Sequence, residues 1–328
     1  MTGGAGFIGS HLADALIKRG DQVEALDDLS TGAVDNLAEL LGNPHFSFLE
    51  GSVRDEAAVH EAVRRADAVV HLAASVGVRR ILERPLESLM NNIHGTEVML
   101  EACAAFERKV LVASTSEIYG KNTSSKLAED SDRILGPTFK SRWSYSTSKA
   151  VDEILAFGYF RERGTPSIVV RLFNTVGPRQ TGAYGMVVPR FVRQALTGEA
   201  LTVFGDGQQR RCFCHVNDTV RALLALLDHP NSVGQVFNIG SQEETTIHDL
   251  GLLVIQMTGS TSSIVRVPYD KAYDDGFEDM QRRFPDIGKI SALTGWCPLA
   301  TLETIIGDVI DFEKNRSGWI ERSEHRES

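Results

Sequence analysis

The chain is poor in the features that hold small or extracellular folds together. Its 4 cysteines in 328 residues, Cys103, Cys212, Cys214 and Cys297, form no CxxC pair and have no accompanying histidine spacing. A disulfide framework and a structural zinc site are therefore excluded, no metal is expected, and reduced thiols in a cytoplasmic protein are the expectation. An excess of positive charge is also lacking. With 34 Lys+Arg against 44 Asp+Glu and a net charge of −10, there is no broad basic surface for a phosphate backbone, which excludes nucleic acid as a partner. No uninterrupted apolar stretch reaches the roughly 18 residues of a bilayer span, and no basic segment precedes a short hydrophobic run. Neither a membrane helix nor a secretory leader is expected. Finally, only Met1 and Thr2 precede the first glycine loop. A doubly wound sheet without a strand there would leave its neighbours unpaired, so an apolar strand of about five residues is expected upstream of Thr2.

What is present is a foldable chain of about two domains, 42% hydrophobic and 24% charged. Its first half alternates helical and strand-like segments: Phe7 to Lys18 helical, "QVEAL" a strand ending at Asp27, "FSFLE" a strand, Glu56 to Arg65 helical, "AVVHLA" a buried strand, Leu86 to Ala105 a long helix, and "KVLVAS" a strand. A helix from Trp143 to Arg163 and the strand "SIVVRLF" follow. Strands alternating with helices predict βαβ units and an α/β fold with a doubly wound parallel sheet, residues 1–174. From residue 175 to 316 the texture changes to Gly- and Pro-punctuated loops, the strands "LTVFG" and "RRCFCHV", and helices at Asp218 to Leu227 and Ile247 to Met257. This predicts a smaller C-terminal α/β lobe, with "QVFNIG" able to return to the main sheet and residues 317–328 a frayed tail. Cys212 and Cys214 alternate with Phe213 in one predicted strand, which would point both thiols to one face as small buried hydrophobes.

The opening "TGGAGFIGSHL" spaces Gly3, Gly6 and Gly9 as GxxGxxG before a helix. Such glycines let the backbone approach a pyrophosphate seated on the helix N-terminus, although the spacing alone equally fits a helix start with no ligand. Asp27 stands eighteen residues after Gly9 at the end of the next strand, where a carboxylate can accept hydrogen bonds from the adenosine ribose hydroxyls or simply make a turn. In the first reading it repels a 2′-phosphate, favouring NAD over NADP. Tyr145 and Lys149 lie i and i+4 on one helix face, where an ammonium is expected to lower the phenol's pKa. Thr115, Ser116 and Glu117 follow the carboxyl end of "KVLVAS", where open sheets place ligands; alternatively they form a capped turn with a solvated acid.

Taken together, "TGGAGFIGSHL", "LDDLSTG", "VVHLAA", "TSEIYG", the YxxxK pair and "RLFNTVGPR" resemble the extended short-chain dehydrogenase/reductase superfamily, nucleotide-sugar branch, from Thr2 to about Phe312. The resemblance implies NAD as cofactor, held by Gly3, Gly6, Phe7, Ile8, Gly9, Asp27, Asp28, Ser30, Thr31, Gly32, Ser52, Val53, Leu72, Ala73, Ala74, Ser114, Tyr145 and Lys149. Ser52 departs from the family's "GDVRD", in which an aspartate meets the adenine amine; a serine can still accept a hydrogen bond. Ser114 or Thr115 with Tyr145 would hold the sugar 4-hydroxyl, Lys149 the nicotinamide ribose, and Asn174 would lie near the substrate diphosphate.

Within the branch, "TSE" differs from the "TDE" of 4,6-dehydratases and resembles UDP-glucuronate decarboxylases, as does "EDMQRRFPDIGKISALTGWCP". By this resemblance Thr115, Glu117, Tyr145, Lys149 and Arg283 are catalytic, with Arg283 meeting the sugar carboxylate or diphosphate. Ser116, Asn174, Val188, Phe204, Arg211 and Arg283 would contact the UDP-sugar, with Phe204 offering an apolar face to uracil and Arg211 a fork to phosphate. Arg282 and Arg283 also read as a solvated basic pair, and Phe204 as plain core. The implied activity is NAD-dependent decarboxylation of UDP-glucuronate through a 4-keto intermediate to UDP-4-keto-pentose, UDP-xylose or both; a 4-epimerase of UDP-glucuronate or a related sugar is the alternative. A nonenzymatic dinucleotide sensor on the same fold has no need of Tyr145, Lys149 and Glu117 together. The family also implies a homodimer in which the two long helices pair with their mates as a four-helix bundle.

Overall fold

The computed structural model describes residues 1–75, 85–140, 143–182, 186–268 and 280–324, with side chains described to residue 316. In chain order the first half contains α1 (Phe7–Arg19), β1 (Val23–Asp27), β2 (Phe46–Glu50), α2 (Glu56–Arg65), β3 (Ala68–His71), α3 (Pro85–Ala105), β4 (Lys109–Thr115), α4 (Ser144–Arg163) and β5 (Ser167–Leu172). Local chemistry sets several of these ends. The Asp55 side chain accepts the Ala58 N–H to start α2, and left-handed glycines, Gly20 and Gly164, stop α1 and α4.

The second half contains β6 (Thr175–Val176), α5 (Val187–Leu196), β7 (Leu201–Phe204), β8 (Arg210–Cys212), β9 (Cys214–His215), α6 (Val216–Asp228), β10 (Val236–Ile239), β11 (Glu244–Thr246), α7 (Ile247–Thr258), β12 (Ile264–Val267), β13 (Arg282–Arg283), α8 (Gly288–Thr294) and α9 (Leu302–Glu324). β10, β5, β4 and β3 form a parallel sheet in that order, and β1 pairs with β2 in parallel. Thr2 joins the two groups, bridging Leu26 on β1 and His71 on β3. Its N–H donates to the Val70 carbonyl at 3.0 Å and its own carbonyl accepts the Leu72 N–H at 3.2 Å.

Helices cover both faces, giving the expected doubly wound α/β architecture. Leu12 of α1, Leu223 and Leu226 of α6, and Ile290 of α8 pack on one face with Ile168, Val170 and Phe237. Val59 and Val63 of α2, Val98 and Leu100 of α3, and Ala156 of α4 pack on the other with Val110 and Val169. "QVFNIG" does return to the main sheet, Val236 pairing Val169, and it brings α6 and α8 with it. The second lobe has its own core of Val188, Phe191, Leu201, Leu250, Ile305 and Val309, from α5, β7, α7 and α9.

One expectation fails. "RRCFCHV" is two strands: β8 pairs with β11 and β13, and β9 pairs with β6, so Phe213 and Cys214 enter different cores. The break lets one segment serve two sheets, and both thiols remain buried. α9 runs to Glu324, and Ile305, Ile306, Val309 and Ile310 anchor its first half in the second-lobe core. Residues 325–328 lie outside the described part. No helix among the described residues is long and apolar enough to cross a membrane.

Candidate active site

A cavity of about 1520 Å³ opens at the carboxyl ends of the sheet strands and runs under the second lobe. At one end the glycine loop forms its wall. Gly3 adopts φ +70° and sits so close to β3's exit that a Cβ would come within 2.8 Å of the Ala73 nitrogen; a Cβ on Gly9 would collide with the Gly3 carbonyl. α1 starts at Gly6 with no side-chain cap, leaving its first N–H groups for an anion. Asp27 is buried at the tip of β1, its carboxylate accepting the Ala5 N–H at 3.0 Å and the Leu29 N–H at 2.9 Å. Burial raises its pKa, and those backbone donors oppose the rise. Phe7, Ile8, Asp28, Ser30, Thr31, Val53, Leu72, Ala73 and Ala74 line this end. The cradle thus fits a dinucleotide with a ribose on Asp27.

Two expected cofactor residues stand outside the lining. Gly32 packs behind the loop, where a Cβ would meet the Ala5 backbone at 2.9 Å. Ser52 Oγ accepts the Arg54 N–H at 3.2 Å and so closes its own turn, while Gly51 and Val53 face the cavity.

The centre is built at the exit of β4. Thr115 Oγ1 accepts the Glu117 N–H at 3.2 Å and caps a 3-10 turn, Ser116–Tyr119, which turns Glu117 into the cavity. Ser114, Thr115, Ser116, Tyr145 and Lys149 line the same wall, the last two from the first turns of α4. Ser114 Oγ donates to Glu153 Oε1 at 2.5 Å, and Arg171 grips that carboxylate with Nε at 3.0 Å and Nη2 at 2.8 Å. Arg171 Nη1 also donates to the Tyr119 hydroxyl, which donates to Asn238 Oδ1. The end of β4 is therefore fixed by a buried network that joins β4, β5, α4 and β10.

Lys149 does not stand as the isolated cation that its spacing suggests. Its Nζ is 2.7 Å from Asp152 Oδ2, and both side chains are almost fully buried. Burial first, then Glu117 and Asp152, push the Tyr145 phenol above its ordinary range. An ammonium matched by a carboxylate exerts little net field on its neighbour.

The far end is built from the second lobe. β8 and β13 run parallel with Arg211 opposite Arg283, and both side chains are buried and line the cavity. Arg283 Nη2 is 3.5 Å from Glu117 Oε1, so Arg283 is part of the site; its neighbour Arg282 is exposed and pairs with Glu244 at 2.6 Å. Asn174 donates to the Cys212 carbonyl at 3.0 Å, and Val188 lies buried at the start of α5. Phe204 is half-buried at the cavity, with the Arg190 guanidinium 4.4 Å over its ring. One ring face is therefore covered from within.

Several lining residues carry charge that sequence reasoning missed. Arg190 and Arg193 lie three apart on α5, a spacing visible in "VPRFVRQAL"; Arg316 and Glu313 come from α9, which gives no local signal. Buried Glu313 bridges Arg193 at 3.4 Å and Arg316 at 2.9 Å. Arg179, in the quoted "RLFNTVGPR" motif, lines the cavity and pairs with Asp14 at 2.7 Å.

A glycine cradle with an acid at the next strand end, facing a Tyr–Lys pair across one cleft, defines a dinucleotide-dependent dehydrogenase-type enzyme. Comparison with known proteins agrees. The model of the NAD dependent epimerase/dehydratase family matches residues 1–240. The chain is 42% identical over 313 residues to a UDP-N-acetyl-alpha-D-glucosaminuronate decarboxylase of Bacillus cytotoxicus, covering 95% of this chain and 96% of that protein. It is 34% identical over 312 residues to UDP-glucuronic acid decarboxylase 1 of Danio rerio, covering 95% and 71%. Among solved structures, UDP-glucuronic acid 4-epimerase from Bacillus cereus, in complex with UDP-glucuronic acid and NAD, superposes with a TM-score of 0.87 at 30% identity, covering 96% and 98%. The chain belongs to the NAD dependent epimerase/dehydratase family, and its cofactor is NAD.

Proposed function

We propose that this enzyme carries out NAD-dependent oxidative decarboxylation of a UDP-hexuronate, UDP-glucuronate in the first instance, giving UDP-4-keto-pentose, UDP-xylose or both. The observation that carries the reading is Arg283: a buried guanidinium that reaches the cavity beside Arg211 and meets Glu117 over the Tyr145–Lys149 wall, where a sugar carboxylate needs a partner. The decarboxylase names of two relatives support it.

Bound NAD supplies a hydride acceptor for sugar C4. Tyr145 accepts the proton of the C4 hydroxyl, with Thr115 fixing that oxygen, since Ser114 gives its hydroxyl proton to Glu153, and with Lys149 holding the nicotinamide ribose. The ketone so formed is β to the C6 carboxylate, and loss of CO2 leaves an enolate on the C4 oxygen. Tyr145 and Thr115 can donate hydrogen bonds where that charge develops. Arg283 orients the carboxylate, and Glu117 handles protons on the C5 and ring-oxygen side. Val188, Phe204 and Arg211 receive the uridine diphosphate, with Asn174 near the diphosphate.

A second substrate reading has its own support, because the Bacillus cytotoxicus relative is named for a sugar with an acetamido group. Incubation with NAD and either UDP-glucuronate or UDP-N-acetylglucosaminuronate, read by product mass, decides between them. The 4-epimerase alternative, favoured by the Bacillus cereus structure, gives a product of unchanged mass.

The same reading extends to assembly and location. Exposed Leu86 and Met90 on α3 and Ile154 on α4 supply an apolar face suited to a homodimer formed as a four-helix bundle. Sedimentation at micromolar concentration should give twice 36.0 kDa, and a species of 36.0 kDa would rule the dimer out. Cys103, Cys212 and Cys214 are buried free thiols, as suits a cytoplasmic enzyme.

A further inference from the structure

Asp152 has no part in the mechanism above, yet it is a carboxylate with no exposed side-chain surface, 2.7 Å from the ammonium of Lys149. It sits one turn beyond Lys149 on α4, so the two share a helix face. The groups around the pair come from several elements. Glu117 approaches Tyr145 from the turn after β4, with Arg283 of β13 behind it. Glu153 follows Asp152 on α4 and is itself matched by Arg171 of β5. Thr96 of α3 lies on the same side, its hydroxyl 3.1 Å from His71 Nε2, and the His71 ring is held by Thr2 at 2.8 Å through Nδ1. His71 is buried and neutral, so it brings no compensating charge.

We propose that Asp152 is a positioning and charge-balancing residue. Paired with Lys149, it cancels in the cofactor-free site the positive charge that would stabilise the Tyr145 phenolate, so that phenolate forms only once the oxidised, cationic nicotinamide lies beside it. The base is thereby kept protonated until the hydride acceptor is in place. The step balances as a simple ionisation: the Tyr145 O–H bond breaks, its electron pair stays on oxygen, and the proton leaves to solvent as NAD binds. This rests on Tyr145 being the base of the proposed reaction, but ionisation of Tyr145 can be followed without turnover.

The experiment is a tyrosinate absorbance titration of the full chain, subtracting the same titration of Tyr145→Phe, with and without NAD and with no sugar present. In the wild type the Tyr145 signal should emerge only above about pH 10 without NAD and move down by about one pH unit or more with it. In Asp152→Asn, which keeps shape and removes charge, the cofactor-free signal should already be lower by about one unit or more, and NAD should move it less. The acid limb of the pH profile for sugar oxidation should shift the same way. An unchanged Tyr145 ionisation in Asp152→Asn overturns the proposal. So does a wild-type Tyr145 that ionises near neutral pH without NAD, a result obtainable even if the variant fails to fold. Loss of turnover with either sugar, while the titrations behave as described, would instead count against the proposed reaction.

Discussion

Glu117 Oε1 and Arg283 Nη2 meet at 3.5 Å across 166 residues of sequence, one from the turn that ends β4, the other from a two-residue strand of the second lobe. The contact joins the two lobes at the cavity, so the proposed reaction divides between them. In that reaction the dinucleotide lobe would oxidise C4 and the second lobe would align the bond to C6.

That division gives the first prediction. Arg283→Ala and Glu117→Gln should still produce NADH from UDP-glucuronate in a single turnover, while CO2 release falls by about 10²-fold or more, as for a misplaced reacting group. Stopped-flow absorbance with trapped CO2 measures both. Equal loss of both signals would mean that the pair only binds substrate.

Tyr145→Phe should bind NAD and nucleotide sugar nearly as wild type does, because its ring still fills the wall, yet hydride transfer should drop by roughly 10²- to 10⁴-fold. A variant that kept its rate would remove Tyr145 as the base.

The Glu153–Arg171 pair is a structural commitment of the site. Both side chains are nearly buried and joined bidentately. Arg171→Met leaves Glu153 charged and without its counter-ion, which should cost about 3–5 kcal/mol in denaturant unfolding. Adding Glu153→Gln should recover part of that loss, and a double variant no better than the single would contradict the account.

His71 sets a pH limit. Burial lowers its pKa from 6.5 to about 3, while in the unfolded chain it titrates at its ordinary value. Between those values the unfolded state binds the extra proton, so stability contributed by neutral His71 is full above about pH 6.5 and is lost as pH falls toward 3, on the order of 5 kcal/mol in all. In His71→Gln the slope of unfolding free energy against pH over this window should flatten by up to about one proton. An unchanged slope would mean that His71 does not supply it.

Much of this site is legible in the sequence because its parts are local. Gly3, Gly6 and Gly9 are close in sequence, Asp27 ends the next strand, and Tyr145 and Lys149 share a helix face. What is not legible depends on distant pairing. The i, i+3 spacing puts Asp152 on the face of Lys149, but that this face is buried follows only once α4 is seated between α3 and β4. Glu313 and Arg316 reach the cavity because α9 packs against α5, more than a hundred residues earlier. Ser52 reads as an adenine contact from its motif position, and only the fold shows that its hydroxyl also accepts the Arg54 N–H.

The most direct test of the central claim is the stoichiometry of CO2 released per nucleotide sugar consumed by wild-type protein given NAD and a UDP-hexuronate, with the product weighed by mass spectrometry. The expected result is one CO2 per sugar and a UDP-pentose or UDP-4-keto-pentose. A UDP-hexuronate of unchanged mass, formed without CO2, would contradict it and make the protein an epimerase.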